Sequence, residues 1–219
     1  MLNRRSLLRF FGISVGSLVA NQILRADDLP TPPEPFGFKM NWVCVKCESV
    51  DEVVSALSMR SPRNASWKAG IECAYQLKEV FIAPPVLGWI SIIGFASGDL
   101  ERKNSVAAAK KRIGMATPHF QAVCAFCTHR VVEYHHWIRA TEGRINRCFA
   151  YLGERGEVLC NEGNITDAER HLGFGSKPPD EWEPNEQDVM TVARGWSYDP
   201  SSLSARSAKP KFGTIATWN

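Results

Sequence analysis

Residues 124–151 constrain the fold of this 219-residue chain more than any other stretch. A strand from His129 to Arg139 would separate a polar and aromatic set of side chains from a more apolar set, because successive residues of a strand point to opposite faces. The Thr141-Glu142-Gly143 sequence that follows suits a three-residue turn with glycine in the left-handed conformation. A second strand then runs to Tyr151. The stretch therefore predicts a β-hairpin.

One side of this hairpin has a composition that suits a binding site. We call it the polar–aromatic face, and it is formed by three predicted cross-strand pairs: Glu133 with Tyr151, His135 with Phe149, and Trp137 with Arg147. The opposite side is smaller and more apolar and is predicted to face the core. A cleft over the polar–aromatic face would suit a small ligand or an anionic group.

The candidate catalytic residues are His129, Glu133 and His135. Histidine shuttles protons near neutral pH, and a nearby carboxylate raises its basicity. Two histidines and a carboxylate could also hold zinc or iron. However, His129 and Glu133 would lie about 13 Å apart along a strand, which disfavours a tight cluster. A solvated polar sheet face without chemistry is the competing interpretation. The candidate ligand-binding residues are Trp137, Arg147, Phe149 and Tyr151.

The seven cysteines include two CxxC pairs, and these permit three interpretations. Four thiolates could bind zinc. No cofactor is the first prediction, and zinc is the alternative to it. Cysteines could instead form disulfides or be small buried side chains. Both pairs lie at the ends of predicted strands, where residues three apart point to opposite faces, and this disfavours the metal site. The alternative metal ligands are Cys44, Cys47, Cys124 and Cys127.

The other elements predict an α+β domain. Apolar runs indicate strands near residues 38–47, 80–83, 89–95 and 120–126, with helices between the first and second strands and between the third and fourth. This order predicts an antiparallel sheet with helices on one face, in a ferredoxin-like βαββαβ order extended by the C-terminal β-hairpin. Two further helices are predicted, one at the Thr166–Glu169 capping box and one over Glu186–Arg194 with Asn185 as its cap.

Composition predicts four segments along the chain. Residues 1–26 are a signal segment, residues 27–37 are a proline-rich linker, residues 38–200 are a single α+β domain, and residues 201–219 are a disordered tail. Removal of residues 1–26 takes away four arginines and no acid, which lowers the formal charge from +3 to −1. The remaining chain gives no support for a nucleic-acid partner.

The first residues, Asn3-Arg4-Arg5-Ser6-Leu7-Leu8-Arg9, resemble a twin-arginine (Tat) signal, and a short apolar run follows them. The resemblance implies that the Tat translocase exports the protein already folded to the periplasm or cell envelope. Ala20 and Ala26 are candidate cleavage positions, although each has leucine at the −3 position. An uncut signal would leave the protein tethered to the membrane.

Three spans, at residues 80–94, 128–159 and 192–200, resemble a family of uncharacterised bacterial proteins. That resemblance implies a shared fold and no particular chemistry. The sequence contains no nucleophile motif and no phosphate-binding loop, which favours an exported protein that binds a ligand or partner through the polar–aromatic face. The alternatives are a hydrolytic or acid–base enzyme that uses Glu133 and His135, with Arg147 holding an anion, and a thiol or metal protein that uses the CxxC pairs.

Overall fold

The computed structural model describes residues 29–76, 79–94, 104–178 and 181–218, so the predicted signal segment lies outside the described residues. The described chain contains nine strands: β1 Asn41–Lys46, β2 Arg60–Ala65, β3 Val80–Ile82, β4 Trp89–Ile93, β5 Ala122–His129, β6 Tyr134–Thr141, β7 Arg144–Leu152, β8 Glu157–Gly163 and β9 Gly213–Thr217. It contains five α-helices: α1 Val50–Ala56, α2 Trp67–Tyr75, α3 Asn104–Ala116, α4 Asp167–His171 and α5 Glu186–Trp196. None of the described helices is long and apolar enough to span a membrane.

The strands form one antiparallel sheet in the order β2-β9-β3-β4-β1-β5-β6-β7-β8. The α+β class and the antiparallel sheet are therefore confirmed, and the hairpin extends the sheet. The sheet is larger than predicted, and the specific ferredoxin-like order is not confirmed.

The prediction of a disordered tail at residues 201–219 is wrong for the part that forms β9. Residues 213–217 pair with both β2 and β3, and Ile215 and Ala216 are buried. The prediction missed this short strand because the residues before it, 201–212, are mostly polar. The strand is stabilised by hydrogen bonds to a neighbouring strand on each side rather than by its own length.

Helices cover both faces of the sheet, so the prediction of helices on one face is wrong. Side chains of α1 and α3 pack against Val43 and Val45 of β1. Side chains of α2, α4 and α5 pack against Trp42 and Cys44 on the opposite face. Because these β1 residues alternate along the strand, all of its apolar positions are buried, as expected for a strand covered on both sides.

The predicted first strand of the hairpin is interrupted by a turn. β5 ends at His129, residues 130–133 reverse the chain, and His129 pairs with Tyr134 at the start of β6. Glu133 has a φ of 50°, which belongs to turns rather than strands. His129, Glu133 and His135 therefore do not share one face of one strand.

The β6–β7 hairpin is present, but the predicted register is wrong. Trp137 pairs with Phe149 and His135 pairs with Tyr151. The turn has two residues, Glu142 and Gly143, both with positive φ. A bulge lies beside it, because Ala140 pairs with Ile145 whereas Arg139 pairs with Arg147. The pairs are displaced by two residues from the prediction, so each strand residue keeps its predicted face.

Candidate functional site

The polar–aromatic face divides into two environments that the sequence did not separate. Glu133, His135 and Tyr151 line a cavity of about 560 Å³. Trp137 and Arg147 are instead fully buried in a polar cluster beneath α4, and Phe149 is buried beside them. His129 lies at the end of β5 and is not among the residues that line this cavity.

The cavity lies between the β5–β6 turn, the ends of β6 and β7, and the start of α5. It is lined by Phe38, Arg130, Glu133, His135, Tyr151, Gly153, Glu183, Pro184, Asn185, Glu186 and Gln187. The lining contains three carboxylates and one guanidinium. Because the negative charges outnumber the positive charge, the electrostatic field inside the cavity favours a positively charged occupant.

Glu133 is held at the cavity by the backbone around it. The amide of Gly153 donates to the carbonyl of Glu133 at 3.0 Å. The Glu133 side chain passes so close to Gly153 that a Cβ added there would lie 2.4 Å from its Oε2 atom. The left-handed backbone of Glu133 and the missing side chain at Gly153 together fix the position of this carboxylate.

Glu186 is the first residue of α5, where a carboxylate is favoured by the helix dipole. Its Oε1 atom lies 3.0 Å from the Thr128 hydroxyl, which can donate to it, and the Lys39 amide donates to the same atom at 3.4 Å. Its Oε2 atom has no hydrogen-bond partner within the described residues. One oxygen of Glu186 thus positions the side chain and the other remains available to a ligand.

His135 is a buried, uncharged member of the cavity lining. It is 2% exposed, and its Nδ1 atom has no hydrogen-bond partner among the described residues. Burial lowers the pKa of His135 to about 4, opposed by the charge of Glu186 and reinforced slightly by His129. The imidazole is therefore neutral at physiological pH, and its unpaired Nδ1 atom is itself buried.

Tyr151 lies directly across from His135 in the sheet and completes the inner wall. Burial raises the pKa of Tyr151, and the negative charges of Glu183 and Glu133 raise it further. These two carboxylates therefore act on the same phenol from different segments of the chain, and Tyr151 keeps its proton as a hydrogen-bond donor.

The buried cluster under α4 centres on Glu169, which has no exposed surface. Its Oε1 atom accepts from Trp137 Nε1 at 2.8 Å and from Arg147 Nε at 2.7 Å. Its Oε2 atom accepts from the amide and the hydroxyl of Thr166 at 2.8 and 2.7 Å. Arg147 also donates to the side chain of Asn161. Its guanidinium is 1% exposed and already paired, so it is not placed to hold an anionic substrate.

The CxxC cysteines do not converge. Cys44 and Cys124 are cross-strand partners on the α5 side of the sheet, whereas Cys47 packs with α1 and Cys127 packs in a separate small cluster. Residues three apart point to opposite faces, as predicted. No group of three or more potential metal ligands forms in the part of the chain that the structure describes.

The sequence did not identify Glu183, Glu186 or Phe38 as site residues. The Asn185 cap did predict the start of α5, and that prediction is confirmed. What the sequence could not provide is the contact between α5 and β5, since Thr128 and Glu186 are separated by 58 residues. A loop with acidic residues before a capped helix was the available signal, and it is a weak one.

No family model, curated protein or solved structure gives a significant match to this chain. The resemblance to an uncharacterised bacterial family therefore stays a prediction, and the function is inferred from the cavity itself.

Proposed function

We propose that this is an exported protein that binds a small organic cation, such as an amine or a guanidinium compound, in the cavity between the β5–β6 turn and α5. The observation that carries the proposal is the placement of three carboxylates, Glu133, Glu183 and Glu186, around the buried and unpaired imidazole of His135. Export rests on the resemblance of the first residues to a Tat signal.

Each kind of group in the lining has a role in this proposal. The carboxylates accept charge-assisted hydrogen bonds, which are stronger than those between neutral groups. The rings of Phe38 and Tyr151 offer apolar surface and favour a cation over their faces. His135, being neutral, does not repel a positively charged ligand. Arg130 also lines the cavity, and its positive charge could pair with a carboxylate on a ligand that carries one in addition to its cation.

Binding is favoured over catalysis by what the lining contains. It has no serine, threonine, cysteine or lysine among the described residues, so the aliphatic hydroxyl, thiol and amine nucleophiles are missing from the described lining. Glu133 and His135 share the cavity, but no hydrogen bond joins them within the described chain. A general base works best with a pKa near the operating pH, and the pKa of about 4 at His135 lies well below it.

The proposal predicts that cadaverine, a five-carbon diamine, binds saturably and that glutarate, the dicarboxylate of the same chain length, does not. Glu183→Gln is expected to weaken diamine binding by about three- to tenfold, because it removes one charge-assisted contact of ~1 kcal/mol. Isothermal titration calorimetry measures both effects. Added salt is expected to weaken the binding further, since the attraction is electrostatic.

Glu181→Gln is the matched control for this experiment. It removes the same charge from the same exposed segment, but Glu181 does not line the cavity. The affinity of this variant is expected to stay within about twofold of the wild type, because screening limits the effect of a distant exposed charge. Binding of glutarate in place of cadaverine, or equal losses in the two variants, would contradict the proposal.

The export part of the proposal has its own test. Replacement of both Arg4 and Arg5 by lysine is expected to retain most of the protein in the cytoplasm, because the paired arginines are the part of the sequence that resembles the Tat signal. Cell fractionation and immunoblotting measure the distribution. Arg25→Lys, which lies outside the motif, should be exported normally. Unchanged export of the double-lysine variant would show that the resemblance is misleading.

We also propose that the centre of the sheet has a ferredoxin-like origin. The adjacent strands β3-β4-β1-β5 follow the neighbour order of a βαββαβ sheet, provided that β2 and α2 are treated as an insertion between α1 and β3. The helices α1 and α3 cover the same face, which agrees with that origin.

A further inference from the structure

Two cysteines outside the CxxC pairs lie close together on the opposite side of the sheet from the cation cavity. The Sγ atoms of Cys148 in β7 and Cys160 in β8 are 2.7 Å apart. Two sulfur atoms that share no bond normally stay farther apart, whereas a disulfide requires about 2.05 Å. Cys148 pairs with Glu162 and Cys160 pairs with Ala150, so the two thiols are diagonal neighbours on one face of adjacent strands.

The other cysteines of the described chain have different neighbours. Cys44 contacts the hydroxyl of Ser91, Cys47 contacts the backbone of Ser49, and Cys73 donates to Glu79. Cys124 lies across from Cys44 in the sheet, but no hydrogen bond joins their sulfur atoms within the described residues. A sulfur-to-sulfur hydrogen bond therefore distinguishes Cys148 and Cys160 from the other thiols of the described residues.

The surroundings make the two thiols unequal. A hydrogen bond joins the two thiols, with Cys160 as the donor when both are protonated. This contact and the positive charge of Lys110 lower the pKa of Cys160, because a Cys160 thiolate would accept from the Cys148 thiol. The same contact and burial raise the pKa of Cys148. Lys110 is fixed over the pair by its ion pair with Glu162. Cys160 is 9% exposed and lies on β8, an outer strand of the sheet, so it is also the thiol that a reagent reaches first.

We infer that Cys148 and Cys160 are a redox-active pair that closes to a disulfide between β7 and β8. The oxidant is another disulfide, either a small molecule such as oxidised glutathione or a protein. The Cys160 thiolate attacks one sulfur of that disulfide, forms a mixed disulfide and releases the first thiol. Cys148 then loses its proton and attacks the Cys160 sulfur, and the second thiol leaves. Two electrons pass to the oxidant, and the two protons of the cysteines end on its two thiols.

The test uses the full chain, reduced and then treated with oxidised glutathione. Titratable thiols, counted after denaturation, are expected to fall from seven to five. Peptide mapping without reduction should show Cys148 joined to Cys160, with a mass loss of two hydrogen atoms. Seven remaining thiols, or a cross-link between other cysteines, would overturn the inference. This result does not depend on whether any variant folds.

Single variants then assign the order of the steps. Cys148→Ser should trap glutathione on Cys160, because the resolving thiol is missing, whereas Cys160→Ser should leave Cys148 unmodified. Cys73→Ser is the control, since it removes a part-exposed thiol away from the pair, and it should still form the cross-link. The oxidised wild type should also melt at a higher temperature than the reduced protein, a difference that Cys148→Ser abolishes. Glutathione trapped on Cys148 instead of Cys160 would overturn the assigned order.

Discussion

Replacement of Glu169 by alanine is expected to destabilise the fold by about 3–5 kcal/mol, because it leaves the buried guanidinium of Arg147 without its counter-charge. The Glu169 carboxylate receives hydrogen bonds from Trp137, Arg147 and Thr166, and both members of the ion pair are almost fully buried. Chemical denaturation followed by tryptophan fluorescence measures the loss.

Two variants separate the effect of an unpaired charge from the effect of a lost side chain. The double variant Arg147→Met, Glu169→Leu is expected to lose less stability than Glu169→Ala, because it leaves no buried charge. Asp167→Asn, on the same helix, breaks an exposed ion pair with Arg170 and should cost less than about 1 kcal/mol. If Glu169→Ala unfolds at nearly the wild-type denaturant concentration, the cluster does not hold α4 in place.

The second large effect is a loss of stability in acid. Burial lowers the pKa of His135 to about 4 and that of His136 to about 3 from an ordinary value of 6.5. Below pH 6.5 the unfolded chain takes up a proton at each histidine, whereas the folded chain does so only near the lowered values. Stability therefore falls as the pH falls from about 6.5 to about 4, by several kcal/mol for the two residues together.

Denaturation at a series of pH values measures this dependence. His135→Gln is expected to flatten it over the window between pH 6.5 and about 4, since one of the two neutral histidines is then absent. His171→Gln replaces an exposed histidine and should leave the dependence as it is in the wild type. A stability that stays constant across this range would show that His135 and His136 accept protons in the folded state.

The polar–aromatic face shows how far local sequence could predict this fold. Alternation identified which side chains share a face, and that assignment survived a two-residue error in register because strand periodicity is two. The register itself depends on the turn, and Glu142 adopts a left-handed conformation that glycine or asparagine would have signalled more clearly. The turn at residues 130–133 gave no such signal, because it contains no glycine or proline.

The candidate site was predicted only in part, since its two halves are distant in the sequence. Glu133, His135 and Tyr151 were identified because they belong to one hairpin. The carboxylates of Glu183 and Glu186 complete the cavity through packing of α5, which local patterns do not encode. For the same reason Glu169 was predicted as part of a capping box, which is confirmed, but not as the buried partner of Arg147.

Binding of an organic cation beside His135 is tested most directly by nuclear magnetic resonance of the histidine rings during a cadaverine titration. The ring signals of His135 are expected to shift saturably, and the affinity from this shift should equal the affinity obtained by calorimetry. The ring signals of the exposed His119 and His171 should stay in place. The variant Glu133→Gln, Glu183→Gln should weaken the response of His135 by more than tenfold. Saturable binding that leaves the His135 signals unmoved, or no binding of cadaverine at all, would contradict the assignment of this cavity as a cation site.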